Sequence, residues 1–331
     1  METRNLGQSG LRVSAVGLGC NNLAGRLDHA ASMSVVHAAL DSGVTFFDTA
    51  DVYPLGKSGM SEQYLAEALG MRRKDVIIAT KFGSPRNRPT GAMPGNGVLG
   101  GGSRRYIVES VEISLRNLRT EYIDLYQMHR PDPLTPIEET VLALDDLIRQ
   151  GKIRYVGCSN FPAWRVVDAV RIAEALGRKR FVSCQDEYSL LVRYVDPELV
   201  PAMQQLGIGM LPYFPLAGGL LTGKYDLDGP LPEGTRFAQW PKALTDRFMA
   251  EPNRTMYRAL QVFCRERGRS LLELAILWLL MRPTVSCVIA GASSPDQLNQ
   301  NIQAAGWRLS ADEMEQLDRI TAPALRAASH L

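Results

Sequence analysis

Eight short apolar runs, separated by stretches with helical periodicity, constrain the fold of this chain more than any other feature of its sequence. Each run is apolar almost throughout, which is typical of strands that are buried on both faces of a parallel sheet. Strands that alternate with helices favour either a (β/α)8 barrel or an open doubly wound sheet. The runs are 15–20, 44–50, 76–82, 123–129, 153–159, 181–185, 208–214 and 285–291.

The residues after the first run decide between the two architectures. A doubly wound dinucleotide-binding sheet would carry Gly-x-Gly-x-x-Gly at this point. Here Gly17 and Gly19 are followed by Cys20–Asn22, so the third glycine is missing. The sequence therefore predicts an α/β protein with a (β/α)8 TIM barrel, in a single domain over residues 1–331.

Segments outside the alternating pattern predict the two ends of the barrel. Residues 3–14 contain two short arms around glycines and predict a β-hairpin that plugs the bottom of the barrel. Long insertions at 84–102 and 215–253 follow the third and seventh runs. Because loops after barrel strands shape the pocket, we expect both insertions to overhang its mouth.

Charge and composition narrow the classes of partner. Lys and Arg number 37 against 35 Asp and Glu, a net charge of +2 without a basic cluster, which argues against nucleic acid or a membrane as partner. The N-terminus has no apolar signal segment, and the apolar run 271–281 contains Glu273 and is too short to cross a bilayer. Five cysteines are scattered singly, which favours buried thiols in the cytoplasm and no metal site.

Four residues at or just after the ends of successive runs carry the chemistry. They are Asp48 and Tyr53 in TFFDTADVY, Lys81 in VIIATKFG and His129 in IDLYQMHR. In a parallel barrel these strand ends meet at one mouth, where polar residues indicate a catalytic site. Lys81, held by Asp48, is expected to lower the pKa of Tyr53 so that it can donate a proton, while His129 orients a carbonyl oxygen.

Each of these residues also has an ordinary structural interpretation. An Asp at a strand end is often a helix cap, a Tyr after it packs at the rim, and a Lys after an apolar strand is commonly solvated. A single His in a strand is often a satisfied core residue. Four such coincidences, all of residue types that suit one reaction and all at or just after strand ends, are much less plausible than one catalytic group. The sequence therefore favours a catalytic role for the four residues.

At these residues the chain resembles the aldo-keto reductase superfamily, from about residue 3 to about residue 320. FDTADVY resembles the Asp-x-x-x-x-Tyr segment of that family, and ATKFG and MHRPDP complete its tetrad. Further segments match in family order. They are GCSNF at 157–161, QDEYSLL at 185–191, YFPLAGGLLTGKY at 213–225 and GASSPDQLNQN at 291–301.

The resemblance implies hydride transfer from NADPH to a small-molecule carbonyl substrate without a metal, with Tyr53 as proton donor and Asp48, Lys81 and His129 in support. Ser159, Asn160 and Gln185 would hold the nicotinamide carboxamide, and Tyr213 would stack on its ring. The other cofactor-binding residues implied are Asp48, Phe214, Pro215, Leu216, Ala217, Gly218, Leu220, Lys224, Arg236, Gly291, Ser293, Gln297 and Asn301.

Two positions depart from the family pattern. Relatives usually carry Asn where this chain has Asp186, and Glu where it has Gln300. The helix start at 293–297 lacks a Lys or Arg, which leaves Lys224 and Arg236 as the expected cations for the 2′-phosphate. The sequence therefore leaves open how strictly NADPH is preferred over NADH.

The same resemblance admits a second class of function, a cofactor-binding regulatory module similar to potassium-channel β subunits. A protein that acts mainly by binding a channel would not need the imidazole of His129. This chain, in contrast, has all four residues of the tetrad. An enzyme is therefore favoured. The substrate stays open among aldehydes, ketones, sugars, pyridoxal and larger hydroxylated compounds, as does the choice between monomer and homo-oligomer.

Overall fold

Ten strands are present in the residues that the computed structural model describes, which are 1–84, 101–306 and 308–326. The first two pair antiparallel, and the other eight form a parallel sheet in the order β10-β3-β4-β5-β6-β7-β8-β9. A parallel bridge between Met210 and Val285 brings the two edges together into a barrel. The strands are β1 (Thr3–Asn5), β2 (Arg12–Ser14), β3 (Val16–Gly19), β4 (Phe46–Asp48), β5 (Ile77–Phe82), β6 (Ile123–Met128), β7 (Ile153–Ser159), β8 (Ser183–Glu187), β9 (Gly209–Tyr213) and β10 (Val288–Gly291).

Helices connect the parallel strands and cover the outside of the barrel. In chain order they are α1 (His29–Asp41), α2 (Met60–Leu69), α3 (Arg104–Asn117), α4 (Ile137–Arg149), α5 (Ala163–Ala175), α6 (Leu199–Leu206), α7 (Arg236–Gln239), α8 (Lys242–Phe248), α9 (Glu251–Glu266), α10 (Leu271–Leu280), α11 (Pro295–Gln303) and α12 (Ala311–Ile320). Short 3₁₀ helices occupy Cys20–Asn22, Gly70–Asp75, Ala217–Thr222, Ala304–Gly306 and Ala322–Arg326. None of the helices in the described ranges is long and apolar enough to cross a membrane.

The predicted barrel and hairpin are both confirmed. Each of the eight apolar runs overlaps one barrel strand, because a run buried on both faces satisfies its backbone only by pairing with neighbours in the sheet. The sixth strand of the barrel, β8, continues two residues beyond the predicted run. The insertion after β9 contains a 3₁₀ helix, α7 and α8. Most of the predicted loop 84–102, and the end of the chain after 326, lie outside the described residues.

The hairpin closes the bottom of the barrel with apolar side chains. Leu6, Leu11 and Val13 belong to a separate buried cluster with residues that point inward from the strands, including Phe46 and Leu125. Burial of one such side chain stabilises the fold by about 1.5–3 kcal/mol. The N-terminal end of the barrel is thereby filled, and the carboxyl ends of the strands face the functional mouth.

Candidate active site

A buried ion pair lies at the carboxyl ends of two neighbouring strands. Asp48 is the last residue of β4 and Lys81 lies near the end of β5. Lys81 Nζ donates to Asp48 Oδ1 at 2.8 Å, to Asp48 Oδ2 at 2.7 Å and to the Thr49 carbonyl at 2.8 Å. All three ammonium protons therefore have acceptors, which is what a buried charge requires.

Neighbouring amides fix the carboxylate of this pair from the other side. Gln185 Nε2 donates to Asp48 Oδ1 at 2.9 Å, and Gln127 Nε2 approaches the same oxygen at 3.4 Å. These amides come from β8 and β6, so three different strands hold Asp48. The position of Lys81 is consequently set by the barrel itself and not by a loop.

Tyr53 lies beside this pair, in the turn after β4. Its ring centroid is 5.4 Å from Lys81 Nζ and 5.8 Å from the His129 ring, which it meets edge to face at 85°. Burial acts to lower the pKa of Lys81, but Asp48 and Tyr53 raise it by more, so the ammonium stays charged. The structure thus brings Asp48, Tyr53, Lys81 and His129 together as the sequence predicted.

The predicted direction of the Tyr53 pKa shift is wrong. Burial raises the pKa of the phenol, and the opposing effect of Lys81 is smaller, so the net direction is upward. The sequence correctly indicated that Lys81 acts to lower the pKa of Tyr53, but it does not show how strongly burial raises that pKa. Tyr53 is therefore a fully protonated phenol at neutral pH.

His129 is neutral in this environment. Burial, Lys81 and Arg130 together hold its pKa well below the usual value. Its backbone N–H donates to the Phe82 carbonyl at 2.8 Å, which fixes the residue directly after β6. Its Nδ1 is buried without a hydrogen-bond partner among the described residues, so the tautomer with the proton on Nε2 is favoured. Such a ring can donate one hydrogen bond.

Polar residues at the ends of β7 and β9 form a second group next to the tetrad. Asn160 Nδ2 donates to the His129 carbonyl and to Ser159 Oγ, both at 3.0 Å. The Tyr213 hydroxyl donates to Asn160 Oδ1 at 2.8 Å. Asn160 has a φ of 59°, a left-handed conformation that Asn tolerates better than most residues. This network fixes the amide beside His129.

The segment after β9 follows a strained path along the cavity. Phe214 and Ala217 have positive φ values of 52° and 47°, and Gly218 follows at 69°. A Cβ on Gly218 would lie 2.7 Å from the Phe237 ring and 2.8 Å from Trp240, so only glycine fits there. Left-handed conformations at non-glycine residues cost about 1–3 kcal/mol each and are concentrated at ligand sites.

Three cations meet at the far end of the cavity. Arg236 Nη2 donates to Asn22 Oδ1 at 3.3 Å, and Arg26 Nη2 donates to the Gly234 carbonyl at 2.6 Å. Lys224 lines the same cavity. Burial lowers the pKa of both Lys224 and Arg236, and repulsion from Arg26 lowers them further. No carboxylate in the described part of the chain pairs with any of the three, so the cluster is suited to an anion.

The start of α11 adjoins this cluster. Ser294 caps the helix, and its Oγ accepts the Gln297 N–H at 3.3 Å. Gln297 Oε1 accepts from Ser293 Oγ at 2.8 Å, and Asn301 Nδ2 reaches the Gly291 carbonyl at 3.5 Å. The free N–H groups at a helix N-terminus favour negative charge, so this position suits a phosphate.

One cavity of about 740 Å³ connects the tetrad to the cations, within the size range of cofactor sites. Lys81, Ala217 and Leu220 are fully buried and do not line it, whereas every other residue predicted to be catalytic or cofactor-binding does. Of the two positions that depart from the family pattern, Gln300 lines the cavity and Asp186 does not. Those lining residues are Asp48, Tyr53, His129, Ser159, Asn160, Gln185, Tyr213, Phe214, Pro215, Leu216, Gly218, Lys224, Arg236, Gly291, Ser293, Gln297, Gln300 and Asn301.

Sequence reasoning missed several lining residues. Arg26 lies in the loop before α1, and nothing in its local sequence marked it as a cation for this cavity. Arg130 follows His129 directly, and that proximity was the available signal. The missed residues also include Asn21, Asn22, Leu55, Trp240, Leu244 and Phe248.

A parallel barrel with a buried Lys–Asp pair, a Tyr and a neutral His at its mouth defines a class of barrel oxidoreductases. The chain belongs to the Aldo/keto reductase family, whose model matches residues 15–322, and the resemblance inferred from the sequence is confirmed. It is an oxidoreductase of this family, which typically uses a nicotinamide cofactor.

Curated relatives cover nearly the whole chain. The chain is 35% identical over 324 residues to an uncharacterized oxidoreductase, YrpG, of Bacillus subtilis, which covers 97% of this chain and 96% of that protein. It is 36% identical to a probable voltage-gated potassium channel subunit beta of Arabidopsis thaliana, over 92% and 91% of the two chains. It is 34% identical to the L-glyceraldehyde 3-phosphate reductase of Escherichia coli K12, over 96% and 92%.

Proposed function

We propose that this protein is an NADPH-dependent reductase that converts an aldehyde or a ketone to an alcohol. The observation that carries the proposal is the arrangement of Tyr53 and neutral His129 around the buried Lys81–Asp48 pair, at one end of a cavity whose other end holds three unpaired cations. The name of the Escherichia coli relative, which states an aldehyde substrate, supports a carbonyl as the reacting group.

The residues of the chain fit the cofactor. The cluster of Arg26, Lys224 and Arg236 offers charge for phosphate groups, and Gly218 and Gly219 line the cavity without side chains, so that a ligand can approach the backbone there. Arg236 is mostly shielded from solvent, so a charged hydrogen bond from it to a 2′-phosphate would be strong. These features support NADPH over NADH, since NADH lacks that phosphate.

The side chains supply the acid half of the reaction. When bound, the reduced nicotinamide supplies a hydride to the carbonyl carbon. The Tyr53 hydroxyl donates its proton to the carbonyl oxygen, so one O–H bond breaks as the alcohol O–H forms, and solvent later returns a proton to the phenolate. Lys81 stabilises the phenolate, and His129 donates a hydrogen bond to the oxygen as negative charge develops there. The sum is one carbonyl, one NADPH and one proton converted to one alcohol and one NADP⁺.

A purely regulatory role is not favoured. The relative from Arabidopsis thaliana is named as a channel subunit, but this chain carries the whole tetrad in connected geometry. The described cysteines are free and buried, which supports a reducing compartment such as the cytoplasm.

The test has two stages. NADPH fluorescence is titrated with purified protein, and oxidation of NADPH is then followed by absorbance with a panel of aldehydes and ketones. We expect saturable binding and turnover with at least one carbonyl compound. Absence of binding to either NADPH or NADH would contradict the proposal.

A further inference from the structure

Arg130 has no partner at the mouth of the barrel. It follows His129 directly, lines the same cavity and is exposed. No hydrogen bond, ion pair or ring contact joins its side chain to any other residue in the described part of the chain. Arg130 differs in this from Arg247, which donates to the Glu187 carboxylate at 3.1 Å.

The electrostatic effects of Arg130 locate it at the tetrad end of the cavity. Arg130 acts to lower the pKa of Tyr53, His129, Asp186 and Tyr213, although in each case burial has a larger effect. The groups at the other end, Lys224 and Arg236, are affected by Arg26 instead. The cavity therefore has two separate positive regions, and only the region of Arg26 is accounted for by the cofactor phosphates.

Arg130 shares no ion pair with a carboxylate of the described residues. Asp48 is the one carboxylate among the described residues that line the cavity, and it is bonded to Lys81. Asp186 is close enough for Arg130 to act on its pKa, but its Oδ1 accepts from the Tyr194 hydroxyl and from the Glu187 N–H at 3.1 Å. Arg130 thus presents a guanidinium whose N–H groups are not engaged by the described residues, beside the reacting groups.

We propose that Arg130 forms an anion subsite that selects carbonyl substrates bearing a phosphate or a carboxylate. A guanidinium binds either group through two parallel N–H···O bonds. Because Arg130 and His129 line the same cavity, one substrate can place its carbonyl at His129 and its anionic group at Arg130. This inference rests on the proposed carbonyl-reductase function and adds the substrate class.

Matched substrate pairs test the subsite. We would measure kcat/KM with NADPH for glycolaldehyde phosphate against glycolaldehyde, and for succinic semialdehyde against butyraldehyde. We expect the anionic member to be preferred by about tenfold or more in at least one pair, and the two pairs distinguish phosphate from carboxylate recognition. The preference should weaken as salt is raised, because screening acts on a partly exposed pair.

Variants connect the preference to this residue. In Arg130→Met the ratio of anionic to neutral kcat/KM should fall by about tenfold or more, and Arg130→Lys should retain part of it. Arg265→Met removes the same charge from the exposed face of α9, outside the cavity, and should leave the ratio unchanged. At saturating NADPH, inorganic phosphate or succinate should compete with a neutral aldehyde in the wild type and much less in Arg130→Met.

The outcomes separate this inference from the proposed function. If the wild type reduces neutral aldehydes but prefers neither anionic compound, the subsite is wrong and the reductase stands. A preference that survives in Arg130→Met also overturns the subsite. If the protein binds NADPH but reduces none of these or other carbonyls, the proposed function fails and the inference fails with it.

Discussion

Lys81 Nζ lies 2.8 Å and 2.7 Å from the two carboxylate oxygens of Asp48, and the side chains of the two residues are 0% and 6% exposed. This pair is the centre of the site, because it holds a fixed positive charge beside the Tyr53 ring. It is also a potential weakness of the fold, because either charge left alone would be buried without compensation.

We expect Lys81→Met to destabilise the protein as well as to abolish turnover. Removal of one partner of a buried pair typically costs about 3–5 kcal/mol, because the remaining carboxylate is desolvated and unpaired. The free energy of unfolding, measured in urea, checks this. In the double variant Lys81→Met/Asp48→Asn much of that stability should return without any return of activity. A double variant as unstable as Lys81→Met would contradict the ion-pair account.

Asp186 should make stability depend on pH. Burial raises the pKa of its carboxyl to about 7, while the unfolded value is about 3.9. The folded state therefore holds more protons than the unfolded state between about pH 4 and pH 7, and stability falls as pH rises through this window. Asp186→Asn has no carboxyl to titrate and so does not lose this stability. The free energy of unfolding of the variant minus that of the wild type should therefore increase by on the order of 3 kcal/mol from pH 5 to pH 8.

Urea unfolding at several pH values measures this difference. Asp168→Asn, at an exposed position on α5, serves as the control and should follow the wild-type pH dependence. The Glu187 carboxyl, whose pKa burial also raises to about 7, is present in all three proteins. A difference between Asp186→Asn and wild type that is constant from pH 5 to pH 8 would show that Asp186 does not titrate in this range.

The three cations should distinguish NADPH from NADH. Arg236→Ala is expected to raise the Kd for NADPH about tenfold to a hundredfold, since a hydrogen bond to a charged group is worth ~1.5–3 kcal/mol, and to change the Kd for NADH much less. Arg26→Ala should act in the same direction. Fluorescence titration measures both constants, with Arg265→Met as the charge control. Equal weakening of the two cofactors would contradict the assignment of these residues to the 2′-phosphate.

The strand-end residues were predictable because their signal is local. Asp48, Lys81 and His129 each lie at or near the end of an apolar run, and parallel strands bring such ends together whatever the conformation of the loops. The Lys81–Asp48 contact therefore follows from the barrel alone.

Other features depend on distances that the sequence does not contain. Arg26 belongs to a loop, and only the path of the chain after β9 brings it near Lys224 and Arg236. The net direction of the Tyr53 pKa shift is set by burial, which is a property of the whole packed barrel. Asp186 was recognised as a departure from its relatives, but its partner Tyr194, eight residues later, could not be foreseen.

We propose that Tyr53 donates the proton to the carbonyl oxygen, and its hydroxyl can be removed alone. Tyr53→Phe removes one hydroxyl and leaves the ring that packs edge to face on His129. Loss of a general acid typically costs about 10²–10⁴-fold in rate. His129→Ala should reduce the rate less, because it removes an orienting hydrogen bond and leaves the donor in place.

The decisive measurement is kcat of Tyr53→Phe with an aldehyde that the wild type reduces, together with the Kd of the variant for NADPH. We predict that kcat falls by about 10²–10⁴-fold while the Kd stays close to the wild-type value. A variant that binds NADPH normally and reduces the aldehyde at a rate near that of the wild type would contradict it.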